Sequence, residues 1–290
     1  MNLLAALVDD AGLFPPESLP MADALARHRA DEGAGHLMLS GRFLCPASRL
    51  GELRAAPALA DWSGEAPQRP ADRGVDRRLH LSLILDTGLD ALAGAVSEIA
   101  DEPRLALEMV EVPAPTEDDV AAALEALVGF EPAAFLEGPR SPEWIKTVGA
   151  WSRPGGLRGA KVRCGGARAE LFPSPEDLAA FVCACFENGV PFKATAGLHT
   201  AVRHRDAATG FVHHGYLNLV VAAVRAASRA SVDEVAAVLA STDGEALAAD
   251  ARAVSGRELV VSRALFRAYG SCSTSEPLEE AAHLGLLGAA

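Results

Sequence analysis

The chain predicts an α/β fold, a single (β/α)8 TIM barrel spanning residues 1–290, on three observations. Short apolar runs of strand length alternate with longer segments of helical period, the pattern of repeated βα units around a parallel sheet. Eight such runs can be counted, which suits a closed barrel better than an open doubly wound sheet. The first run is followed by Asp9-Asp10-Ala11-Gly12-Leu13-Phe14-Pro15-Pro16 rather than the glycine-rich fingerprint of a dinucleotide fold, so NAD is not implied and no cofactor is expected.

The expected strands are Leu3–Asp9, His36–Phe43, Leu79–Asp86, Leu105–Val112, Ala133–Glu137, Ala160–Cys164, Pro191–Thr195 and Arg267–Ser271. Start signals mark the helices between them. Ser174-Pro175-Glu176-Asp177 offers an N-cap, a proline at the first helical position and acids for the helix dipole, and Asn188-Gly189 stops that helix. Thr116 to Asp119 makes a similar opening for Val120–Val128. Asp61 to Arg78, rich in Pro, Gly and charge without periodicity, reads as an exposed loop. Between the seventh and eighth strands the spacing lengthens. This predicts a helical insertion containing Tyr216–Arg229, Val232–Ala240 and a further helix before Phe266.

Composition limits the partners. Asp and Glu number 39 against 26 Lys and Arg, a net charge of −13, which argues against a nucleic-acid backbone or an anionic membrane and leaves a small-molecule substrate. No apolar run has the length of a membrane span and the N-terminus lacks a signal-peptide pattern, so a cytoplasmic location is expected. Five cysteines without a CxxC pair imply reduced thiols. A homo-oligomer is compatible with all of this.

Lysine is the informative residue. It occurs only at 146, 161 and 193, every other basic residue being Arg. Arginine can replace lysine wherever charge is needed, but it cannot deprotonate and form an imine. In a barrel the catalytic groups come from the C-terminal ends of the strands. There the sequence collects Asp9 and Asp10, Glu108 and Glu111, Glu137, Lys161 and Arg163, and Lys193 and Thr195. Period-two alternation puts Lys161 with Arg163 and Lys193 with Thr195, on neighbouring strands, so the two lysines are expected side by side. Two ammonium groups in a partly dehydrated cavity push each other toward the neutral, nucleophilic amine, while Asp9, Glu108 and Glu137 are expected to compensate the cations in the same cavity. The blander reading is that a lysine simply pairs with Glu108 or Glu137 and neither reacts.

Lys161-Val162-Arg163-Cys164-Gly165 and Lys193-Ala194-Thr195-Ala196-Gly197-Leu198-His199-Thr200 resemble the sixth and seventh strands of the deoxyribose-phosphate aldolase-like class I aldolase barrels. Val8-Asp9-Asp10, Leu107-Glu108-Met109-Val110 and Tyr269-Gly270-Ser271-Cys272-Ser273 echo that family's first, fourth and eighth strands in chain order. The resemblance implies a lyase in which Lys161 forms a Schiff base with a small carbonyl substrate, phosphorylated or not, Lys193 lowers its pKa and Glu108 assists proton transfer. The sequence departs from the family pattern in Glu for the fourth-strand Asp, Arg163-Cys164 for Ser-Thr, and His199 for the seventh-strand Arg. Those positions surround the substrate, so the family's own specificity does not carry over.

The remaining candidates bind substrate. Gly197 and Gly270-Ser271-Cys272-Ser273 could present backbone N–H groups to a phosphate after strands seven and eight, with Arg163 and Arg203 as charge partners; a tight small-residue turn is the equal alternative. His199 and His214 belong to a loop that also holds His204 and His213. These histidines suit proton transfer near neutral pH. With Asp9 or Glu137 they also define the rival reading, a metal-dependent barrel lyase or hydratase. A third reading is a non-catalytic barrel that binds a small ligand.

Overall fold

A computed structural model describes residues 2–63, 76–151 and 153–287. Eight parallel strands close a barrel: β1 (Val8–Asp10), β2 (Leu39–Pro46), β3 (Leu79–Ile84), β4 (Leu105–Pro113), β5 (Ala133–Glu137), β6 (Arg158–Arg163), β7 (Phe192–Thr195) and β10 (Phe266–Ser271), with β10 hydrogen-bonded to both β7 and β1. This is a (β/α)8 barrel. A two-stranded antiparallel hairpin, β8 (His204–Arg205) with β9 (Val212–His213), stands in the loop after β7. Much of the proposed Asp61–Arg78 loop, residues 64–75, lies outside the described residues.

The helices are α1 (Met21–Ala34), α2 (Leu50–Ala55), α3 (Leu92–Ala100), α4 (Glu117–Ala126), α5 (Ile145–Gly149), α6 (Pro175–Asn188), α7 (Tyr216–Ala227), α8 (Val232–Ala240), α9 (Gly244–Ala253), α10 (Gly256–Leu265) and α11 (Ser275–His283). Their ends follow local chemistry. Ser174 and Asp177 form a reciprocal capping box at α6, Pro175 opens the helix, and Gly189 closes it at φ 63°. Thr116 and Asp119 cap α4 in the same way, so that helix begins three residues before Val120. Among the described residues no helix is long and apolar enough to cross a membrane.

Two strands start later than hydrophobicity suggests. Leu3, Leu4 and Leu7 are buried, but Leu3–Ala6 form turns, and the strand itself begins only at Val8. The second strand moves from His36 to Leu39 and extends to Pro46. Apolar character reports burial, and a buried turn carries the same signal as a strand.

The barrel has three irregularities of register, and those at β2 and β4 bear on the charged groups of the interior. Between β1 and β2, Val8 faces Leu39 while Asp10 faces Phe43, so β2 carries extra residues around Gly41, whose φ of 73° suits glycine. Between β3 and β4, Leu81 faces Leu107 but Ser82 faces Met109, so Glu108 is an extra residue. A regular strand would turn Glu108 and Glu111, three positions apart, to opposite faces. The bulge brings both inward.

At the upper rim the loops after β6 and β7 touch through glycine. A Cβ on Gly197, whose φ is 68°, would lie 2.7 Å from the Cys164 carbonyl oxygen, and one on Gly165 would lie 2.8 Å from the Gly197 Cα. Gly197→Ala therefore adds a backbone clash to an unfavourable φ, and we expect a stability loss of about 1–3 kcal/mol in denaturant unfolding. A loss within 0.5 kcal/mol would show that the two loops separate freely.

Candidate active site

The interior of the barrel holds a ladder of alternating charge. Lys161 and Lys193 are register partners on β6 and β7, side by side and both buried. Between them lies the carboxylate of Glu111, one oxygen 2.7 Å from Lys161 Nζ and the other 2.6 Å from Lys193 Nζ. Lys193 also meets Asp9 at 2.6 Å, and Lys161 meets Glu137 at 2.9 Å. The chain of partners continues at both ends. Asp9 accepts from Arg42 Nε at 2.9 Å and Ser40 Oγ at 2.6 Å, and Arg42 reaches Glu108 at 3.5 Å, which lies 2.8 Å from His80. Glu137 accepts from Arg163 Nε at 2.7 Å, at the open end.

Small and polar neighbours make the ladder possible. Ala268, register partner of Lys193, and Gly270, register partner of both Asp9 and Thr195, leave room on β10. A Cβ on Gly270 would lie 2.9 Å from a Leu44 methyl group inside the barrel. Ser82 Oγ donates to Glu111 at 2.9 Å, and Met109 Sδ lies 3.3 Å from Lys193 Nζ.

Electrostatics favours the ionised form of Glu111, Lys161, Asp9 and Glu137. Burial alone would raise the carboxyl pKa of Glu111, but Lys161 and Lys193 outweigh it and keep it well below the usual carboxylate range. Burial works against the Lys161 ammonium too, yet Glu111 and Glu137 prevail and raise its pKa. Asp9 is lowered by Arg42 and Lys193 against its own burial, and Glu137 by Lys161 and Arg163 against its own.

Two expectations are corrected here. The lysines are adjacent, but the interposed Glu111 reverses the effect of like charge on Lys161, which is held as the ammonium. The acid touching both amines is Glu111 rather than Glu108. The latter sits on the bulge at a lower level, bonded to His80, which lowers its pKa, and to Arg42. Asp9 and Glu137 do contact the lysines. Arg42 was not foreseen; its only sequence signal is the neighbouring Gly41 in a strand.

The rim groups divide. Arg163, with its side chain 41% exposed, and the half-buried Thr195 face the mouth above the lysines. His199 lies 3.5 Å from Ser271 Oγ, 3.6 Å from Cys272 Sγ and 3.8 Å from a Glu276 oxygen, with its pKa lowered by burial. Ser271 and Ser273 are buried and committed inward: Ser271 Oγ donates to the Ser273 carbonyl at 2.6 Å, and Ser273 Oγ accepts from the Glu276 N–H. Both hydroxyls are thus engaged within the turn. Gly197 forms the loop contact described above.

His214 is fully buried, with Nε2 2.8 Å from the Pro173 carbonyl and Nδ1 3.2 Å from Arg203 Nη1. Both ring nitrogens are thus used in holding the loop before α7 to the loop before α6. His204 and His213 pair across the β8–β9 hairpin. Among the described residues no three His, Cys, Asp or Glu side chains gather to hold a metal ion, which leaves the metal-dependent reading without a donor set there. Asp10 turns away from the barrel interior to Arg27, His28 and the Gly12 N–H, fastening β1 to α1.

Compared with protein-family models, curated proteins and solved structures, the chain has no match. Fold and site alone define its class: a (β/α)8 barrel with a buried lysine pair bridged by carboxylate.

Two outcomes follow from these contacts. Glu111→Gln leaves both ammonium groups short of a counter-charge, and we expect a loss of about 3–5 kcal/mol in chemical denaturation; a loss below 1 kcal/mol would mean that the bridge carries little. Burial lowers the His214 pKa to about 4, so the folded protein binds fewer protons there than the unfolded chain. Its contribution is full above the unfolded value of about 6.5 and is lost as pH falls toward 4. His214→Gln should flatten the acid limb of Tm against pH between about 6.5 and 4; an unchanged limb would contradict this.

Proposed function

We propose that the protein is a cofactor-independent lyase of the aldolase kind, acting on a small carbonyl substrate through a Schiff base on Lys161. The observation that carries this reading is the carboxylate pair, Glu111 and Glu137, held within 3 Å of one buried amine at the mouth side of the ladder. Lys193 lies deeper, enclosed by Asp9, Glu111, Met109 and, at 5.8 Å, the Phe135 ring.

The chemistry balances without an added reagent. The ammonium gives one proton to a neighbouring carboxylate, the amine adds to the carbonyl carbon, and the carbonyl oxygen leaves as water after taking two protons from the nitrogen by way of the carboxylate. Ammonium plus carbonyl becomes iminium plus water, with one positive charge on each side. A site built to hold a cation at Lys161 Nζ therefore stabilises the iminium as well as the ammonium. The iminium accepts the electron pair of the carbon–carbon bond that breaks or, in reverse, the enamine supplies it. Glu111, between two cations, stays ionised and steadies the positive charge on the nitrogen. The unpaired state of all five cysteines supports a reducing, cytoplasmic setting.

Incubation with small aldehydes and ketones plus borohydride should label Lys161, as mapped by mass spectrometry. Lys161→Arg should abolish that label, and Lys193→Arg should reduce it. Because the free amine is scarce at neutral pH, labelling should rise with pH from 7 to 10. Glu137→Gln should lower the Lys161 pKa and speed labelling at pH 7 by about tenfold or more. Labelling at Lys146 alone, or equal labelling of wild type and Lys161→Arg, would overturn the reading.

A further inference from the structure

One carboxylate already stands where a substrate carboxylate would bind. Glu137 joins Lys161 Nζ, 2.9 Å from one oxygen, to Arg163 Nε, 2.7 Å from the other. Arg163 also reaches Glu137 through Nη2 at 3.4 Å, while Nη1 has no hydrogen bond among the described residues. Of the ladder's cations, Arg163 has the most exposed side chain, 41% against 16% for Arg42 and 4% and 1% for the lysines. The group at the solvent end is thus a guanidinium, able to grip a planar carboxylate along one edge.

Spacing decides the class of ligand. A single carboxylate spans the two cations, so their nitrogens are about 6 Å apart. In a 2-oxo acid joined to Lys161 through its ketone, the adjacent carboxylate oxygens lie about 3 Å from the imine nitrogen, and a further hydrogen bond reaches a cation about 6 Å away. A phosphate ester two or more carbons from the carbonyl would need its cation about 8–9 Å away. The rim after β10, separated from β6 by β7 alone, disfavours such a dianion. Ser271 and Ser273 are bonded within the turn, and Glu276 there stands near the acids Glu17, Glu279 and Glu280.

We propose that the site takes a short 2-oxo carboxylate whose carboxylate binds Arg163 in the place beside Lys161 that Glu137 fills in the unliganded protein. This rests on the reading of Lys161 as the imine-forming amine. Glu137 swings aside as the ligand binds, and the ketone carbon comes within reach of Lys161 Nζ. Specificity then lies in the pairing of one amine with one guanidinium two residues further along the same strand.

The test compares trapping by pyruvate, hydroxyacetone and glyceraldehyde 3-phosphate at equal concentrations in the presence of cyanoborohydride, together with binding of oxamate, a non-electrophilic relative of pyruvate, by calorimetry. Pyruvate should label Lys161 about tenfold faster than hydroxyacetone. Arg163→Gln should bring that ratio to about one, and Arg163→Lys should restore part of it. Oxamate should bind wild type and lose affinity about tenfold in Arg163→Gln. Equal labelling by pyruvate and hydroxyacetone, fastest labelling by the phosphorylated aldehyde, or a pyruvate preference that survives Arg163→Gln would overturn the proposal. Arg163-dependent oxamate binding with no labelling of Lys161 by any carbonyl would uphold the carboxylate site and remove the Schiff base.

Discussion

The carboxylate of Glu111, held between two buried ammonium groups, is the constraint on which the interior of this barrel depends. An isolated charge in such a place would cost many kcal/mol and would neutralise instead. Here opposite charges alternate, from Arg163 at the mouth through Glu137, Lys161, Glu111, Lys193, Asp9 and Arg42 to Glu108 and His80 at the lower end. No interior member can be removed without leaving two others short of a counter-charge. The ladder threads strands β1 to β7, so the same contacts that balance charge also fix the strands' mutual positions.

That constraint explains the irregular backbone. Glu111 can enter the barrel only because Glu108 is taken up by a bulge, and Arg42 can reach Asp9 only from the distorted stretch around Gly41. Bulges weaken pairing locally and re-aim side chains, which is their use beside functional sites. The small residues Ala268 and Gly270 serve the same end from the opposite wall, where a larger side chain would occupy the space of Lys193 or Thr195.

The fold and the neighbourhood of the two lysines were legible because both follow from period and order. Alternating βα units give the barrel, and strand alternation puts Lys161 and Lys193 on the inner face. The capping residues Ser174 and Thr116 were legible because an N-cap is a local bond. The partner of the lysines was not. Glu108 and Glu111 look equivalent in sequence, and the choice between them turns on one extra residue in the β3–β4 register. Protonation was illegible for the same reason: the two ammonium groups repel, but a carboxylate placed between them changes the sign of the sum. His214 stood among promising loop histidines, yet burial and two committed nitrogens give it a structural part.

Scarcity of lysine makes the central claim directly measurable. With lysine only at 146, 161 and 193, a 13C spectrum of the lysine ε-carbons contains one signal per residue, each assignable by a Lys→Arg variant. Titrated across pH 6 to 11, the Lys161 signal should stay at the ammonium position past the ordinary lysine value of about 10.4, because Glu111 and Glu137 hold its proton. A Lys161 signal that titrates between pH 6 and 8 would contradict the account, showing repulsion by Lys193 to dominate and the carboxylate bridge to be absent in solution.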